Sequence, residues 1–496
     1  MHRLFGFLTL ALLLLGTNVC GQFSPPGSPR YSIQRYNSNG NVGFDYVLMG
    51  LYRVQTPFFL PATNFLLDRN GDVVWYQQGQ MWALDFKLHP NGRLAFNDNR
   101  YWHILDSNFA EVDSVVCRGY RNDPHDMRMT ADGHYFLICI EDTIMDLRSI
   151  LTADGNPGAL NARVDGVVIQ ELDGAKNVVK EWHGLDHFSL TDADSTYFTN
   201  SGIYELNHTN SIDLDGHGRM LLSHRALNEI SLIDWQTGNF IWHLGGKLNQ
   251  FDLQGDPGTK GQHDAEFLPG GRISTFDNGN RAWNARALIY DLDTLQMRAS
   301  IARKFTVPGL DSDAMGSFQS MSDGSGLVGF GRVFPANQPI VSYFSADSTR
   351  NWDIFSIDSC GTYRANAAQL PFDLRRPKLT CEEVNGELIL GVEGTHPQFE
   401  WTTGENSATI VVHGPGTYQA FVPRGIGMMG TEPLEINSLT NACLALERSE
   451  TTTPRPQLPH RIGYFDLLGR PVSHPEPWQV VLERYSDGSA RKVILQ

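Results

Sequence analysis

The stretch from Asn207 to Gly246, NHTNSIDLDGHGRMLLSHRALNEISLIDWQTGNFIWHLGG, predicts four short strands joined by three tight turns. The β-prone runs are Ser211 to Leu214, Arg219 to Ser223, Glu229 to Asp234 and Phe240 to Leu244. The turn-forming residues between them are Asp215-Gly216, Ala226 to Asn228 and Gln236-Thr237-Gly238. Four antiparallel strands in this order form one blade of a β-propeller. The stretch therefore predicts one blade.

Two phrases related to this stretch recur between residues 60 and 355. One places a turn and a glycine before alternating apolar residues, and it begins at His89, Thr130, Asp213, Leu268 and Met321. The other ends in an aromatic or acidic residue, and it begins at Leu67, Leu105, Glu171, Ile233, Tyr290 and Phe344. Copies spaced roughly 40 to 65 residues apart favour a propeller. Two packed sandwiches would also alternate, but they would not explain the pairing of the phrases.

We therefore predict an all-β chain with a six-bladed β-propeller over residues 22–362. The phrases stop after Cys360, and Gln369 to Lys378 is typical of a linker. Residues 379–445, with Trp401 as a core residue, predict a small immunoglobulin-like β-sandwich. Residues 449–459 form a Thr/Pro-rich linker, and residues 460–496 form a short β C-terminal domain.

The N-terminus has the pattern of a secretory signal peptide over residues 1–21. Arg3 precedes an apolar run, Leu4 to Leu15, which is too short to span a bilayer. Small residues follow before Gln22, where we expect cleavage. Lipidation at Cys20 is the alternative, although Val19 is larger than the residue that a lipobox places there. Either reading predicts a secreted or cell-surface protein, with no membrane span in the mature chain.

The composition narrows the possible partners. A formal net charge of -16 argues against nucleic acid and against an anionic membrane surface. Cys20 lies in the predicted signal, so five of the six cysteines remain in the mature chain. An odd number leaves at least one thiol free, and the sequence does not reveal the pairing of the others.

Polar residues recur near strand starts in different predicted blades. They are His125 in the triplet PHD, His208 and Asn210 in HTN, Arg225, and His263 in QHD. Alternation along the strand places His208 and Asn210 on one side, and a hairpin would bring Arg225 to the same rim. A propeller gathers such positions at the mouth of its channel, so we expect an anion site there.

Other chemistries for these residues are possible. Three histidines suggest zinc, but the guanidinium of Arg225 is unfavourable beside a dication. The run DLDG at Asp213 faintly resembles a calcium loop, but it lacks the regular acidic spacing. Asp126 and Asp264 could orient the neighbouring histidines, although adjacent residues in a strand face opposite ways.

Residues 120–300 resemble the bacterial arylsulfate sulfotransferases. The similar segments are RNDPHDMRMTADGHYF, the block from Asn207 to Lys247, QHDAEFLPGGRISTFDNG and the run ARALIYDLD. The resemblance implies a six-bladed propeller that transfers a sulfuryl group from a phenolic sulfate to a phenolic acceptor, without a nucleotide sulfate donor or a cofactor. It further implies that His263 is the nucleophile. His125, His208 and Arg225 would hold the sulfuryl oxygens, and Asn210 would assist.

These residue types suit that chemistry on physical grounds. Sulfuryl transfer needs a nucleophile that is uncharged yet basic, as a neutral imidazole is. Charge that develops on the sulfuryl oxygens is stabilised by fixed cationic donors such as Arg225. The alternative function is a non-catalytic surface propeller that binds glycans or a protein. An enzyme requires the four side chains to converge, whereas a binding module does not.

The last segment resembles the C-terminal sorting domain of the type IX secretion pathway of Gram-negative bacteria. The similar parts are FDLLGRPV, VVLERY and SDGSARKVILQ. The resemblance implies export across both membranes and contact with secretion machinery. An ordinary three-stranded end of a β domain is the alternative interpretation.

Overall fold

The computed structural model describes residues 19–20, 24–36, 42–53, 61–79, 82–198, 203–439 and 443, together with the backbone of four strands near the C-terminus. Most of the predicted signal peptide and the Thr/Pro-rich linker at 449–459 lie outside the described residues. The chain forms two compact units, Met1–Ile436 and Asn437–Gln496.

Six sheets, each with a path of four antiparallel strands, account for most of the described part of the first unit. We number them as blades in chain order. Blade 1 contains Ala365–Ala368, Tyr46–Arg53, Thr63–Asp68 and Val73–Gln78, with Cys360–Gly361 beside its second strand. Blade 2 contains Leu84–Leu88, Leu94–Asn97, Trp102–Leu105 and Glu111–Val115. Blade 3 contains Arg121–Met129, Tyr135–Met145, Ala162–Leu172 and Val178–His183, with Ile203–Glu205 parallel to its third strand.

Blades 4 to 6 repeat the arrangement. Blade 4 contains Thr209–Leu214, Arg219–His224, Glu229–Asp234 and Phe240–Gly245. Blade 5 contains His263–Leu268, Arg272–Asp277, Arg286–Asp293 and Arg298–Thr306. Blade 6 contains Ser317–Ser320, Gly326–Gly329, Val341–Phe344 and Arg350–Ser356, extended by Tyr31–Arg35 and Val19–Cys20. Asp311–Ser312, between blades 5 and 6 in sequence, pairs with Val333–Phe334, which lies between the second and third strands of blade 6. Two one-turn 3-10 helices occupy Gly184–Asp186 and Ser195–Tyr197.

The first strands of the six sheets adjoin one another in a closed order. Ala365–Ala368 contacts the first strand of blade 2, the contacts continue from blade to blade, and the first strand of blade 6 returns to Ala365–Ala368. A strand from the C-terminal side of the ring thus completes blade 1 and joins the two ends. It begins just beyond residue 362, where we expected the propeller to end. The predicted all-β, propeller-like fold is confirmed.

The recurring phrases correspond to turns of the sheets. Each copy of the second phrase spans the turn between the third and fourth strands of one sheet. In blade 1 the carboxylate of Asp68 accepts the backbone N–H groups of Asn70 and Asp72, 2.8 and 3.0 Å away. Asp106 and Asp173 do the same in blades 2 and 3. These side chains replace backbone partners in the turn, which explains why an acidic residue recurs there.

The region predicted as an immunoglobulin-like sandwich consists of short strands that pack against blade 1. Their bounds are Leu379–Val384, Glu387–Val392, Glu400–Trp401, Thr409–Val412, Gly416–Tyr418, Ala420–Arg424, Gly427–Gly430 and Leu434–Ile436. Trp401 is fully buried among them. Met428 and Met429 pair with Tyr76 and Trp75, so this region extends the outer edge of blade 1. The immunoglobulin-like assignment stays a prediction.

The second unit contains a four-stranded antiparallel sheet. Its strands are Arg461–Phe465, Pro471–Val472, Val480–Tyr485 and Ala490–Ile494. No helix among the described residues is long and apolar enough to cross a membrane. In the first unit, Cys117 and Cys139 form a disulfide, and Cys360 is a free cysteine. Cys360 is buried, and burial raises the pKa of its thiol to about 11.

A buried ionic network fills the axis of the ring. The guanidinium of Arg364, which precedes the closing strand, lies 3.1 Å from Asp85, 3.3 Å from Asp126 and 3.2 Å from Asp264. It also donates to the Asn210 carbonyl at 2.7 Å. Its partners come from the first strands of blades 2, 3, 4 and 5, because those strands line the axis. Lys87 adds a second buried cation to Asp85 and Asp126.

Candidate active site

His263 begins the first strand of blade 5 and is buried. Its Nδ1 lies 2.7 Å from the Asn278 Oδ1 and 3.0 Å from the Gly261 carbonyl oxygen. Both are acceptors, so Nδ1 carries the proton and Nε2 keeps its lone pair. Nε2 accepts the backbone N–H of Met315 at 3.2 Å. Burial, helped by the positive charge of Arg225, lowers the pKa of His263 well below its ordinary value, which leaves a neutral imidazole.

His125 lies in the first strand of blade 3 and pairs with a nearby carboxylate. Its Nδ1 is 2.7 Å from Asp123 Oδ1, which also accepts the backbone N–H of His125 at 2.8 Å. Burial by itself would lower the pKa of His125, but the Asp123 carboxylate outweighs it and raises that pKa. His125 is therefore the imidazole of the group that holds a proton most readily.

His208 precedes the first strand of blade 4, with a backbone φ of 47° that turns it out of the strand direction. Its Nδ1 bonds the carboxylate of Glu205. Its ring centroid lies 4.8 Å from that of His125, in an edge-to-face arrangement. Burial lowers the pKa of His208, although Glu205 opposes the shift. The two neighbouring imidazoles thus differ in protonation, a common feature of acid–base pairs.

Arg225 follows the second strand of blade 4, and its backbone N–H donates to the His208 carbonyl at 3.0 Å. Its guanidinium stacks over Tyr197 at 4.7 Å and donates from Nη2 to the Asp313 carbonyl at 2.8 Å. Its Nε is buried without a hydrogen-bond partner. The positive charge of Arg225 lowers the pKa of both His208 and His263, so these groups share one electrostatic environment.

Asn210 lies deeper than the histidines and has no exposed surface. Its amide nitrogen donates to the Gln262 carbonyl at 2.8 Å, which ties blade 4 to blade 5. A register shift between Thr209 and Ser211 interrupts the strand alternation on which we placed Asn210 beside His208. The side chain consequently lies between strands, where it sets the spacing under the site.

The histidines are oriented by residues that the sequence did not single out. Asp126 and Asp264, the neighbours we considered, face the axis and bind Arg364 instead. The orienting groups are Asp123, Glu205 and Asn278. Asp123 and Glu205 lie two and three residues before their histidines, a local spacing that would have identified them. Asn278 is 15 residues from His263, and no spacing signal points to it.

A small cleft adjoins His125 and His208. Its polar lining includes the carboxylates of Asp123, Asp165 and Glu205. Among the described residues, no group of three or more His, Cys, Asp or Glu side chains is placed to hold a metal ion. The structure thus brings His125, His208, Arg225 and His263 to one end of the ring, with acidic residues on the side of blade 3.

We expect the activity at this site to fall as pH rises through the raised pKa of His125, because deprotonation removes its positive charge. Asp123→Asn removes the carboxylate that raises the pKa of His125. The imidazole stays buried, and burial without that carboxylate lowers its pKa. The alkaline limb of kcat/KM against pH should therefore move to lower pH. Glu111→Gln is a matched control, since Glu111 pairs with His103 outside the site. An unchanged profile in Asp123→Asn would contradict this role of His125.

Comparison with known proteins shows which family this chain resembles. The family model described as Arylsulfotransferase (ASST) matches residues 69–356, and no curated protein matches. Among solved structures, a Bacteroides caccae protein of unknown function has 10% identity and a TM-score of 0.43, with 65% of this chain and 98% of that chain covered. A streptogramin B lyase has 10% identity and a TM-score of 0.35, with 77% and 98% covered.

The β-propeller domain of Cps50 (Swd1) from Myceliophteria thermophila has 11% identity and a TM-score of 0.34, with 73% of this chain and 100% of that chain covered. TM-scores this low carry no argument about the present chain. The family match does, because it spans more than half of the sequence and includes all four converging side chains. This chain belongs to the arylsulfotransferase (ASST) family.

Proposed function

We propose that the protein transfers a sulfuryl group from a phenolic sulfate ester to a phenolic acceptor through a sulfo-histidine at His263. The observation that supports this most is the state of that side chain. The Asn278 oxygen holds the Nδ1 proton, and burial keeps the ring neutral, so the lone pair lies on Nε2, where it accepts the Met315 N–H and can attack once that contact is displaced. A neutral, oriented imidazole is the nucleophile that sulfuryl transfer requires.

In the first half-reaction, His263 Nε2 forms a bond to sulfur while the bond from sulfur to the aryl oxygen breaks. The electron pair leaves with the aryl oxygen, and protonated His125 gives that oxygen its proton. This acid role differs from the oxygen-holding role that the resemblance implies, and the raised pKa of His125 supports it.

Arg225 holds the sulfuryl oxygens, where charge accumulates. His208 joins it as a donor only in its protonated form, because Glu205 accepts the Nδ1 proton and the neutral ring has no second N–H. The backbone N–H of Met315 donates to His263 Nε2 before the reaction. During attack it donates instead to a sulfuryl oxygen, because that oxygen arrives next to the attacking nitrogen.

The second half-reaction reverses these steps with a different phenol. The acceptor hydroxyl gives its proton to His125 as its oxygen attacks sulfur, and the N–S electron pair returns to Nε2. The reaction is balanced without a metal, a nucleotide or a redox partner. Asn210 contributes by fixing the Gln262 backbone next to His263.

An aryl sulfate donor with a second phenol as acceptor tests the proposal directly. We expect formation of the new aryl sulfate to depend on both substrates with ping-pong kinetics. Hydrolysis without transfer, or transfer that needs a nucleotide sulfate, would refute it. Absence of any reaction, together with binding of a glycan or a protein, would favour the binding-module alternative.

We further propose that residues 460–496 direct export to the cell surface after removal of residues 1–21. The four-stranded sheet of the second unit is the part of the chain that carries the resemblance to a sorting domain. Deletion of residues 461–496 should leave the protein inside the cell envelope, as measured by fractionation. Normal secretion of the truncated chain would exclude the sorting role, whereas deletion of residues 449–459 serves as the control.

A further inference from the structure

Three arginines meet at Asp313, which does not line the acidic cleft. Arg332 Nε lies 2.6 Å from Asp313 Oδ1, and Arg281 Nη2 lies 3.1 Å from Oδ2. Arg225 donates to the backbone carbonyl of the same residue at 2.8 Å. The Asp313 carboxylate therefore pairs with two guanidinium groups, and Asp311, which lies across from Phe334 in the strand pair, is a second carboxylate close by. With Arg225 included, three guanidinium groups and two carboxylates leave a surplus of about one positive charge.

The cluster is held in place yet open to solvent. The Arg281 and Arg332 guanidinium groups stand over the ring of Phe334 at 5.3 and 5.9 Å. The strand that contains Phe334 pairs with Asp311–Ser312, so the platform is fixed to the segment that carries Asp313. The Arg281 side chain is 67% exposed and the Arg332 side chain is 39% exposed. Both can bind a ligand without first being uncovered.

The cluster also lies close to the reacting nitrogen. The backbone N–H of Met315 contacts His263 Nε2 at 3.2 Å, and Asp313 is two residues earlier in the chain. Two residues span at most about 7 Å, so the Asp313 backbone lies within about 10 Å of Nε2. A sulfuryl group at Nε2, followed by the aryl oxygen, the ring and a para carboxylate, extends over a similar length. An aryl group bonded through oxygen to a sulfuryl group at Nε2 can therefore reach the cluster with its far end.

Charge differs between the two sides of the mouth. The cleft on the side of blade 3 is lined by Asp123, Asp165 and Glu205, each of which already pairs with a histidine or an arginine, whereas the side near Asp313 carries the exposed guanidinium groups of Arg281 and Arg332. An anionic substituent is attracted to the second side. Arg guanidinium groups bind carboxylates with paired, charge-assisted hydrogen bonds.

We propose that Arg281 and Arg332 form a second anion site, which selects aryl substrates that carry a ring carboxylate para to the reacting oxygen. This rests on the proposed sulfuryl transfer and names its substrate class. Arg225 binds the sulfuryl group, while Arg281 and Arg332 bind the carboxylate at the opposite end of the aryl ring. Aryl sulfates with an uncharged ring substituent react without this contact and so serve as the reference substrate.

The test compares 4-carboxyphenyl sulfate with 4-carbamoylphenyl sulfate, whose ring substituent is an uncharged isostere of the carboxylate, using phenol as the acceptor. In the doubly substituted Arg281→Gln/Arg332→Gln protein, the ratio of kcat/KM for the acid over the amide should fall about ten- to a hundredfold, as expected for loss of charge-assisted hydrogen bonds. Turnover of the amide should be retained. Arg350→Gln is the matched control, since Arg350 also stacks on an aromatic ring and pairs with an aspartate away from the site.

Equilibrium binding separates this inference from the proposed reaction. Calorimetric titration with 4-hydroxybenzoate and 4-hydroxybenzamide reports the same preference without turnover. A preference for the carboxylate that the double substitution removes supports the second anion site, even if neither ester reacts. Equal affinity for the two ligands, or a rate ratio that the substitutions leave unchanged, overturns it. Failure of both esters to react, with the binding preference intact, counts against the sulfuryl transfer alone.

Discussion

His263→Ala is expected to abolish both turnover and the initial release of phenol. In the wild type, an aryl sulfate given without acceptor should release about one phenol per site in a rapid burst and leave a sulfated enzyme. Alanine removes the atom that forms the N–S bond, so neither event should remain. Stopped-flow absorbance of the released phenol gives the amplitude, and mass spectrometry of the quenched protein locates the sulfate.

A second substitution distinguishes the nucleophile from the groups that stabilise charge. Arg225→Ala should slow the burst by roughly a hundredfold or more, since one such donor is typically worth about 2.7 to 4 kcal/mol, but His263 should still become sulfated. His217→Ala, in an exposed turn of the same blade, is the control and should leave the kinetics unchanged. Sulfate on a different residue, or full activity in His263→Ala, would refute the assignment.

The strands of the site were predictable because their determinants are local. For blade 4 the predicted runs differ from the observed strands by two residues at one start, and by one residue at two ends. Turn residues at regular intervals and period-two alternation carry this information in adjacent positions. The recurring acidic turns located the remaining sheets for the same reason.

The directions of the side chains were less predictable, since they depend on irregular backbone. The first strands of blades 2 to 5 all contain a register shift near their beginning, and His208 and Asp264 have φ values of 47° and 58°. Such bulges redirect side chains and break simple alternation. They allow His263 to face the mouth while the next residue faces the axis. Strand propensity alone does not locate them.

Residues distant in sequence were also missed. Arg364 binds Asp126, which is 238 positions earlier, and no local pattern relates the two. Asp313 and Arg281 likewise come from different loops of the ring. Closure of the ring, in which a late strand completes blade 1, brings Arg364 to Asp126, whereas Asp313 and Arg281 meet because adjacent loops pack together. The contacts along the axis of the ring are therefore the part of this fold that the sequence pattern did not predict.

Arg364→Met is expected to destabilise the protein by about 3 to 5 kcal/mol, the usual cost of removing one partner from a buried ion pair. Its side chain is 2% exposed. Lys87 remains beside Asp85 and Asp126, but Asp264 keeps no ion-pair partner among the described residues. The midpoint of urea unfolding measures the loss. Arg148→Met, which breaks an exposed pair with Asp146, should cost no more than about 1 kcal/mol.

The combination of Arg364→Met with Asp264→Asn tests the cause of that loss. The amide oxygen can still accept the N–H of Phe318, as Asp264 does at 2.9 Å, but it carries no buried charge. Part of the stability should return, which a purely steric effect of methionine would not allow. Asp126 and Asp264 directly follow His125 and His263 in the chain. Any Arg364→Met protein that folds should therefore lose activity as well, because the same contacts that close the ring hold both histidines at its mouth.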